Sequence, residues 1–172
     1  LVTLLAYGYN NIVVSDVSDA KLGLAKSLGV KEVVNVKNSK EKLALETLKF
    51  DFIYEASGSI EGIEYCFSLL ENKGTLLFAS HPEHGEKIKI DPHELIKGKK
   101  ILGSWGGSSQ PEKIIAKFSE FKEAKRVDLN LFLGSIYSLD QINEALEDLR
   151  QNNSVRPIIK FIPQPIRTRT VH

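Results

Sequence analysis

Apolar and polar residues alternate between two patterns along most of the chain. Short runs rich in β-branched and aromatic residues predict strands, and amphipathic stretches of about ten residues between these runs predict helices. The stretch 11–29 shows both patterns. A buried strand at Ile12–Val14 ends at Asp16, and a polar turn leads into a helix over 19–28. Gly29 ends that helix, because a residue without Cβ adopts the left-handed conformation at low cost.

The same two patterns continue to the end of the sequence. They predict strands at 32–36, 50–56, 75–80, 99–105 and 155–162. They predict helices at 1–7, 39–48, 60–71, 92–96, 111–124 and 140–149, the last capped by Asp140. The segment 81–91 is expected to be irregular with a short extended piece at 87–90, and 131–139 to be mixed and extended. Strands separated by helices favour βαβ units, so we predict an α/β fold with a doubly wound, mostly parallel sheet.

The composition indicates one soluble globular domain. Of the 172 residues, 42% are apolar and 26% are charged, which is typical of such domains. We place the domain at 1–162, followed by a C-terminal tail at 163–172. The formal charge of +1 creates no field that would attract nucleic acid or a membrane. The single cysteine, Cys66, cannot form an internal disulfide, and no apolar run is long enough to span a bilayer, so we expect a cytoplasmic protein.

The sequence contains no methionine. A complete translation product begins with one, and a large residue such as Leu1 does not normally follow a removed initiator. We therefore expect this chain to be a fragment, or its upstream part to be unseen.

Asp16 and three histidines are the first candidates for function. In doubly wound α/β proteins, a carboxylate at the carboxyl end of the second strand accepts hydrogen bonds from the ribose of a dinucleotide. An aspartate at a strand end is also a common capping or turn residue, so both interpretations of Asp16 stay open. His81, His84 and His93 are metal candidates, but no cysteine or carboxylate set completes a tetrahedral spacing. We therefore expect no metal site in this chain.

Five segments occur together in a fixed order: SDVSDAKLGLAKSLGV, FDFIYEASGS, KGTLLFAS, ILGSWGGSSQPE and DQINEALEDLRQNNSVRPIIKF. Together they resemble the medium-chain dehydrogenase/reductase family, in particular the zinc-type alcohol dehydrogenases. The resemblance runs from Leu1 to the neighbourhood of Phe161. It implies a Rossmann fold that binds NAD or NADP, inserted in a larger protein that also carries the catalytic domain.

The resemblance implies cofactor contacts at four positions in the first 58 residues of the chain. Asp16 matches the acid that binds the adenosine ribose and favours NAD, because a carboxylate there would repel the 2′-phosphate of NADP. Lys21 matches a basic residue on the same ribose, although an exposed helix residue is an equal alternative. Ser57 and Gly58 match a turn where the nicotinamide half passes close to the backbone, which glycine permits. A serine-capped loop between strand and helix is the simpler alternative for that turn.

The resemblance implies contacts at four later positions as well. Ala79 and Ser80 match the end of a strand whose backbone groups meet the carboxamide. Trp105 matches a position where the family places a backbone carbonyl or an apolar wall beside the nicotinamide, with core or interface packing as the alternative. Arg156 matches a cation that reaches the pyrophosphate, a role for which a guanidinium is well suited. Its alternative is a surface pair with Asp148 or Glu147 of the preceding helix.

Two parts of the family pattern are missing from the sequence. The glycine-rich turn G-x-G-x-x-G is absent, and the first strand before it is absent too. In the strand order 3-2-1-4-5-6 that strand is central, so the strands at 12–16 and 50–56 are expected to lack the neighbour between them. The zinc ligands and the substrate pocket of the family also lie mainly upstream. We therefore expect no catalytic residue here, and zinc only in the absent catalytic domain.

These observations favour the cofactor-binding part of a zinc-type, NAD-dependent alcohol or polyol dehydrogenase. The intact protein is then expected to act on a small-molecule alcohol and to be a homo-oligomer. One alternative is an NAD-sensing Rossmann module without catalysis. Another is a Rossmann-like methyltransferase, in which an acid after the second strand also holds a ribose. The closing helix and the segment VRPIIKF fit the dehydrogenase better.

Overall fold

The computed structural model describes residues 1–105, 107, 110–124, 126, 128–151, 154 and 156–161. The helices among them are α1 (Val2–Ala6), α2 (Asp19–Ser27), α3 (Ser39–Glu46), α4 (Ile60–Ser68), α5 (Pro92–Ile96), α6 (Pro111–Glu123) and α7 (Ile142–Arg150). The strands are β1 (Val13–Asp16), β2 (Glu32–Asn35), β3 (Phe50–Glu55), β4 (Leu70–Phe78), β5 (Lys100–Gly103), β6 (Ile136–Ser138) and β7 (Ile158–Lys160). Short 3₁₀ helices lie at Leu129–Phe132 and Leu139–Gln141.

The chain divides into two compact units, Leu1–Lys117 and Phe118–His172. The domain predicted at 1–162 therefore spans residues of both units. The tail predicted at 163–172 lies outside the described residues.

Every described strand pair is parallel. In the first unit, β1 pairs with β2, from Val13 beside Glu32 to Asp16 beside Asn35. Strands β3, β4 and β5 form a separate sheet in that order. The alternation of strands and helices and the parallel pairing confirm the predicted α/β class. Among the described strands, hydrogen bonds join β1 only to β2 and β3 only to β4, as expected for a sequence without the first strand of the family pattern.

One face of the three-stranded sheet packs against α4. Alternate residues of a strand point to the same face, so Ile53, Leu76 and Ile101 lie side by side in the parallel register. Ile63 and Phe67 of α4 are buried in the same cluster. Burial of each large aliphatic or aromatic side chain contributes about 1.5–3 kcal/mol. This cluster therefore holds α4 on the sheet and aligns the ends of the three strands.

Strand β4 begins earlier than the sequence predicts. The expectation of helix to 71 and strand only from 75 was wrong, because Leu70 already pairs with Phe50 of β3. Leu70 is only 1% exposed and belongs to the core cluster. The strand passes through Lys73, whose φ is +67°. Tertiary burial of Leu70 outweighed the helical periodicity of the preceding residues.

The segment 81–91 is irregular, as predicted, but its extended piece at 87–90 pairs with no described strand. Ile88 and Ile90 nevertheless pack against the core cluster. The backbone N–H of Lys89 donates to Glu64 Oε1 of α4 at 2.6 Å. Apolar residues at alternate positions thus indicated burial here, but not sheet pairing.

Short polar side chains begin several helices. They accept backbone N–H groups of the first turn, which have no partner within the helix; these caps are Ser18, Asn38, Ser59 and Asp91. The prediction that Asp140 caps the last helix was wrong. Helix α7 begins at Ile142, because Ser138 and Gln141 form a capping box around the 3₁₀ turn before it.

In the second unit, β6 and β7 pair with Ile136 beside Ile158. The prediction of a mixed segment at 131–139 did not identify β6, and β7 is shorter than the strand predicted at 155–162. Tyr137 is buried, and its hydroxyl donates to Asp148 Oδ2 at 2.5 Å. This hydrogen bond, together with desolvation, raises the pKa of Tyr137. It connects β6 to α7 by a polar contact that the spacing of apolar residues in the sequence does not predict.

A charged pair joins α5 to the start of β5. Glu94 Oε2 lies 2.6 Å from the Nζ of Lys99, a residue that is only 7% exposed. Glu94 Oε1 lies 2.6 Å from the Nζ of the exposed Lys97. Hydrogen bonds from Lys97 and Lys99 lower the pKa of Glu94 from 4.5 to about 2. The Lys99 ammonium is buried, and the opposite charge of Glu94 offsets the free-energy cost of removing it from water.

We predict that Glu94→Gln lowers the thermal stability of the protein at neutral pH, because the buried Lys99 ammonium loses its ion pair. The folded carboxyl has the lower pKa, so its contribution is fully present above pH 4.5 and is lost as the pH falls toward 2. Melting curves of both proteins between these pH values should therefore converge on acidification. Glu83→Gln, which changes an exposed residue in a neighbouring loop, is the control. A melting difference that stays constant across this range would contradict the prediction.

Candidate functional site

The carboxyl ends of β3, β4 and β5 meet at one edge of their sheet. Because these strands are parallel, the residues that follow them come to the same edge. A cavity of about 310 Å³ opens there, lined by Phe78, Ser80, His81, Gly103, Ser104 and Trp105. Two of the positions expected to contact a cofactor, Ser80 and Trp105, therefore line one cavity.

One wall of the cavity is aromatic. The ring centroids of His81 and Trp105 lie 4.5 Å apart, with an interplanar angle of 50°. Trp105 is 82% exposed, so the interpretation of this residue as part of the core was wrong. A Cβ at Gly103 would lie only 3.3 Å from the ring of Phe78, so glycine keeps β5 close to that ring. The wall offers an apolar surface on which a flat ring can stack.

Glu55, the last residue of β3, is a buried acid beside this edge. It is only 3% exposed. Its Oε1 accepts the backbone N–H of Ser57 at 2.5 Å, and its Oε2 accepts the hydroxyl of Ser80 at 2.5 Å. Its carbonyl accepts the N–H of Ala79 at 3.0 Å. No basic side chain of the described chain forms an ion pair with it, so these hydrogen bonds satisfy the carboxylate and join the ends of β3 and β4.

The loop 57–59 packs onto the first turn of α4. Gly58 has a φ of +81°, a left-handed conformation that a side chain would disfavour. Ser59 Oγ accepts the N–H of Gly62 at 2.9 Å, and a Cβ at Gly62 would overlap Ser57 Oγ. The interpretation as a serine-capped loop is therefore correct for Ser59. The tight loop also leaves the backbone at Gly58 open to close approach.

Asp16 stands at the carboxyl end of β1, as predicted. Its Oδ1 accepts the backbone N–H groups of Val17 at 2.8 Å and Ser18 at 2.9 Å. No hydrogen bond from the described residues reaches its Oδ2. Lys21 is exposed on the first turn of α2, and its backbone N–H donates weakly to Ser18 Oγ at 3.5 Å. Asp16 thus combines the turn role with a carboxylate oxygen that can still accept a hydrogen bond.

Arg156 lies in the second unit, just before β7. Its carbonyl accepts the N–H of Gly134 at 3.0 Å, and a Cβ at Gly134 would overlap that oxygen. Glu147 and Asp148 were the alternative partners for Arg156. Glu147 Oε2 lies 3.5 Å from Arg150 Nη1, and Asp148 accepts the hydrogen bond from the Tyr137 hydroxyl of β6. The other expected positions all belong to the first unit.

Glu55 is the residue that the sequence interpretation missed, and His81 entered it only as a metal candidate. The sequence does contain a signal for Glu55. Alternation along β3 puts it on the same face as the half-buried Ile53, which packs against the core, and an acid on that face requires specific hydrogen-bond partners. The partner Ser80 is 25 residues away in sequence, so only the folded structure identifies it.

A family model described as "Zinc-binding dehydrogenase" matches residues 2–123. The chain belongs to this family. The match covers α1 to α6 and therefore includes the cavity, the Glu55 hydrogen bonds and Asp16.

Two relatives of the chain are named alcohol dehydrogenases. The chain is 26% identical over 162 residues to alcohol dehydrogenase-like 4 of Arabidopsis thaliana, covering 90% of this chain and 42% of the relative. It is 26% identical over 160 residues to alcohol dehydrogenase class-3 of Drosophila melanogaster, covering 85% and 41%. The crystal structure of benzyl alcohol dehydrogenase from Acinetobacter calcoaceticus matches with a TM-score of 0.84 and 27% identity, over 94% of this chain and 46% of that one.

These similarities confirm the resemblance to the zinc-type alcohol dehydrogenases and the Rossmann-type α/β fold. The chain spans less than half the length of these relatives.

The described residues of the chain do not form a zinc-binding site. No group of three or more His, Cys, Asp or Glu side chains among them could hold a metal. His81 packs against Trp105 instead. No described helix has the length and apolar composition needed to cross a bilayer.

Cys66 lies on α4, packed against the core cluster. Burial raises the pKa of its thiol to about 11, and the negative charge of Glu55 adds to the effect. The thiolate is the reactive form, so this cysteine is expected to be inert at neutral pH.

We predict that alkylation of Cys66 by iodoacetamide is slow in the folded protein at neutral pH and speeds up about tenfold per pH unit until the pH approaches the thiol pKa. The urea-denatured protein, in which burial is lost, should react much faster at neutral pH. Mass spectrometry of the Cys66 peptide measures both rates. Equal rates in the folded and denatured protein at neutral pH would contradict the prediction.

Proposed function

We propose that this chain is the cofactor-binding part of an oxidoreductase that transfers hydride between an alcohol and NAD. The observation that carries the proposal is the cavity at the carboxyl edge of the three-stranded sheet. It combines an aromatic wall with the polar Ser80, at the edge where α/β sheets bind their ligands. Membership of the zinc-binding dehydrogenase family and the alcohol dehydrogenase relatives support the same function.

The cavity receives the nicotinamide end of the dinucleotide in this proposal. His81 and Trp105 provide a stacking surface, and Ser80 provides a polar atom beside it. The backbone at Ser57 and Gly58 lets the ligand pass close to the loop after β3. When bound, NAD supplies the group that accepts or gives hydride. The residues of this chain bind and orient that group and exclude water from one side of it.

The adenosine end lies at Asp16 in this proposal. The Oδ2 oxygen accepts a ribose hydroxyl, while Oδ1 stays bonded to the turn. A phosphate on that ribose would lie beside the carboxylate and be repelled, so NAD is preferred to NADP. Lys21, exposed on the following helix, contacts the same ribose.

The remaining functions belong to the rest of the intact protein, since the relatives are more than twice as long as this chain. We propose that groups outside the chain bind the alcohol and a zinc ion, and that the intact protein is a cytoplasmic homo-oligomer. The described residues supply no metal-dependent step.

We predict that the intact protein binds NAD more tightly than NADP and that Asp16→Asn reduces this preference. Asparagine keeps an oxygen for the turn N–H groups but removes the negative charge that repels a 2′-phosphate. Calorimetric titration of both cofactors into both proteins measures the ratio of dissociation constants.

The matched control for Asp16→Asn is Glu32→Gln, which removes an exposed carboxylate at the amino end of β2, opposite the proposed site. It should leave the ratio unchanged. Equal or tighter binding of NADP by the unmodified protein would reject the NAD assignment.

We predict that Arg156→Ala weakens NAD binding by about 1.5–3 kcal/mol, the size of a hydrogen bond to a charged group, through loss of a pyrophosphate contact. The dissociation constant for NAD in the intact protein is the measurement. Arg150→Ala, which removes an exposed arginine of α7, is the control. An unchanged dissociation constant would return Arg156 to the surface-pair alternative.

A further inference from the structure

The hydrogen bond between Ser80 and Glu55 has a fixed direction. A carboxylate has no proton to donate, so the Ser80 hydroxyl donates and Glu55 Oε2 accepts, at 2.5 Å. The second oxygen, Oε1, is held by the backbone N–H of Ser57. Because Glu55 is only 3% exposed, solvent competes little for these two hydrogen bonds. The carboxylate therefore holds the single proton of Ser80 away from the cavity.

This arrangement leaves the Ser80 oxygen as an acceptor toward the cavity that it lines. A hydroxyl has one proton and two lone pairs, and once the proton is used the oxygen can only accept. A ligand group that donates a hydrogen bond is satisfied there. A group that only accepts finds no donor in Ser80, and a carboxylate would in addition be repelled by the buried charge of Glu55.

We propose that Glu55 is a positioning residue that acts through Ser80 and makes this cavity select a ring carrying a primary carboxamide over one carrying an acetyl group or a carboxylate. The inference rests on the proposed function, in which the cavity binds the nicotinamide end of a dinucleotide. It adds a determinant of specificity. The N–H of the carboxamide is recognised by Ser80, and Glu55, which does not line the cavity, makes Ser80 an acceptor.

Glu55→Gln reverses the polarity of Ser80. The N–H of Ser57 can only donate, so the carbonyl oxygen of glutamine must face it, which directs the glutamine NH₂ toward Ser80. Ser80 then accepts from glutamine, and its own proton becomes available to the cavity. The variant should prefer acceptor groups, although the shape of the site is nearly unchanged. Ser80→Ala removes the hydroxyl and should abolish the discrimination without reversing it.

The experiment compares three ligands that share their adenosine and pyrophosphate parts: NAD, 3-acetylpyridine adenine dinucleotide and nicotinic acid adenine dinucleotide. Dissociation constants are measured by calorimetry on the intact protein and on Glu55→Gln, Ser80→Ala and Glu61→Gln. Glu61 is an exposed acid on the first turn of α4 and serves as the matched control. Thermal melting establishes that each variant is folded.

The unmodified protein and Glu61→Gln are expected to bind NAD about tenfold more tightly than the acetyl analogue, the size of one hydrogen bond, and to bind the acid more weakly still. In Ser80→Ala the ratio of NAD to the acetyl analogue should approach one. In Glu55→Gln it should fall below one. A purely structural role for Glu55 would weaken all three ligands in proportion and leave the ratios unchanged.

Unchanged ratios in both Glu55→Gln and Ser80→Ala overturn the inference while leaving the proposed function intact, provided that NAD still binds. If Glu55→Gln does not fold, Ser80→Ala decides alone: a ratio near one supports the inference, and the ratio of the unmodified protein overturns it. If the unmodified protein binds neither NAD nor NADP, the proposed function fails, and the inference fails with it.

Discussion

The packing of α4 against the parallel sheet β3-β4-β5 is the constraint on which the candidate site depends. The sheet places Ile53, Leu76 and Ile101 on one face, and α4 buries its apolar residues against them. This burial fixes the register of the three strands, so their carboxyl ends finish at one edge. The cavity exists because residues after β4 and β5 meet there.

Glu55 adds a polar constraint to this apolar framework. It occupies the end of the packed face, where an acid would be costly without hydrogen bonds to both oxygens. The two donors, Ser57 and Ser80, come from different loops. The carboxylate therefore ties together two positions that the family resemblance had indicated separately. Its charge also adds to the effect of burial, which raises the pKa of the Cys66 thiol on α4.

A second candidate position lies in the other sheet of the first unit. Asp16 ends β1, and its hydrogen bonds to the turn account for an aspartate at that place without any ligand. Both explanations are compatible, because a carboxylate has two oxygens and the turn uses one. The same holds for the loop at Gly58, where a serine cap and an open backbone coexist. At such positions structural and functional explanations are not alternatives.

The order and type of most elements could be predicted from the sequence alone. The apolar periods predicted the βαβ succession, and local chemistry placed Ser59 and Gly29 at helix ends. Asp16 was a candidate from its place at a strand end. These features depend on residues close together in the chain, which is why pattern and capping rules identify them.

The tertiary structure decided whatever depends on distant residues. Burial of Leu70 against the core started β4 early, and the pairing of β6 with β7 required a partner more than 20 positions away. Glu55 acquired its role only when folding brought Ser80, 25 residues further along, to its carboxylate. Trp105 became a cavity wall because β5 ended beside β4. The physical reason is the same in each case: burial and hydrogen-bond satisfaction are settled by contacts in space, whereas periodicity and propensity record only the neighbours along the chain.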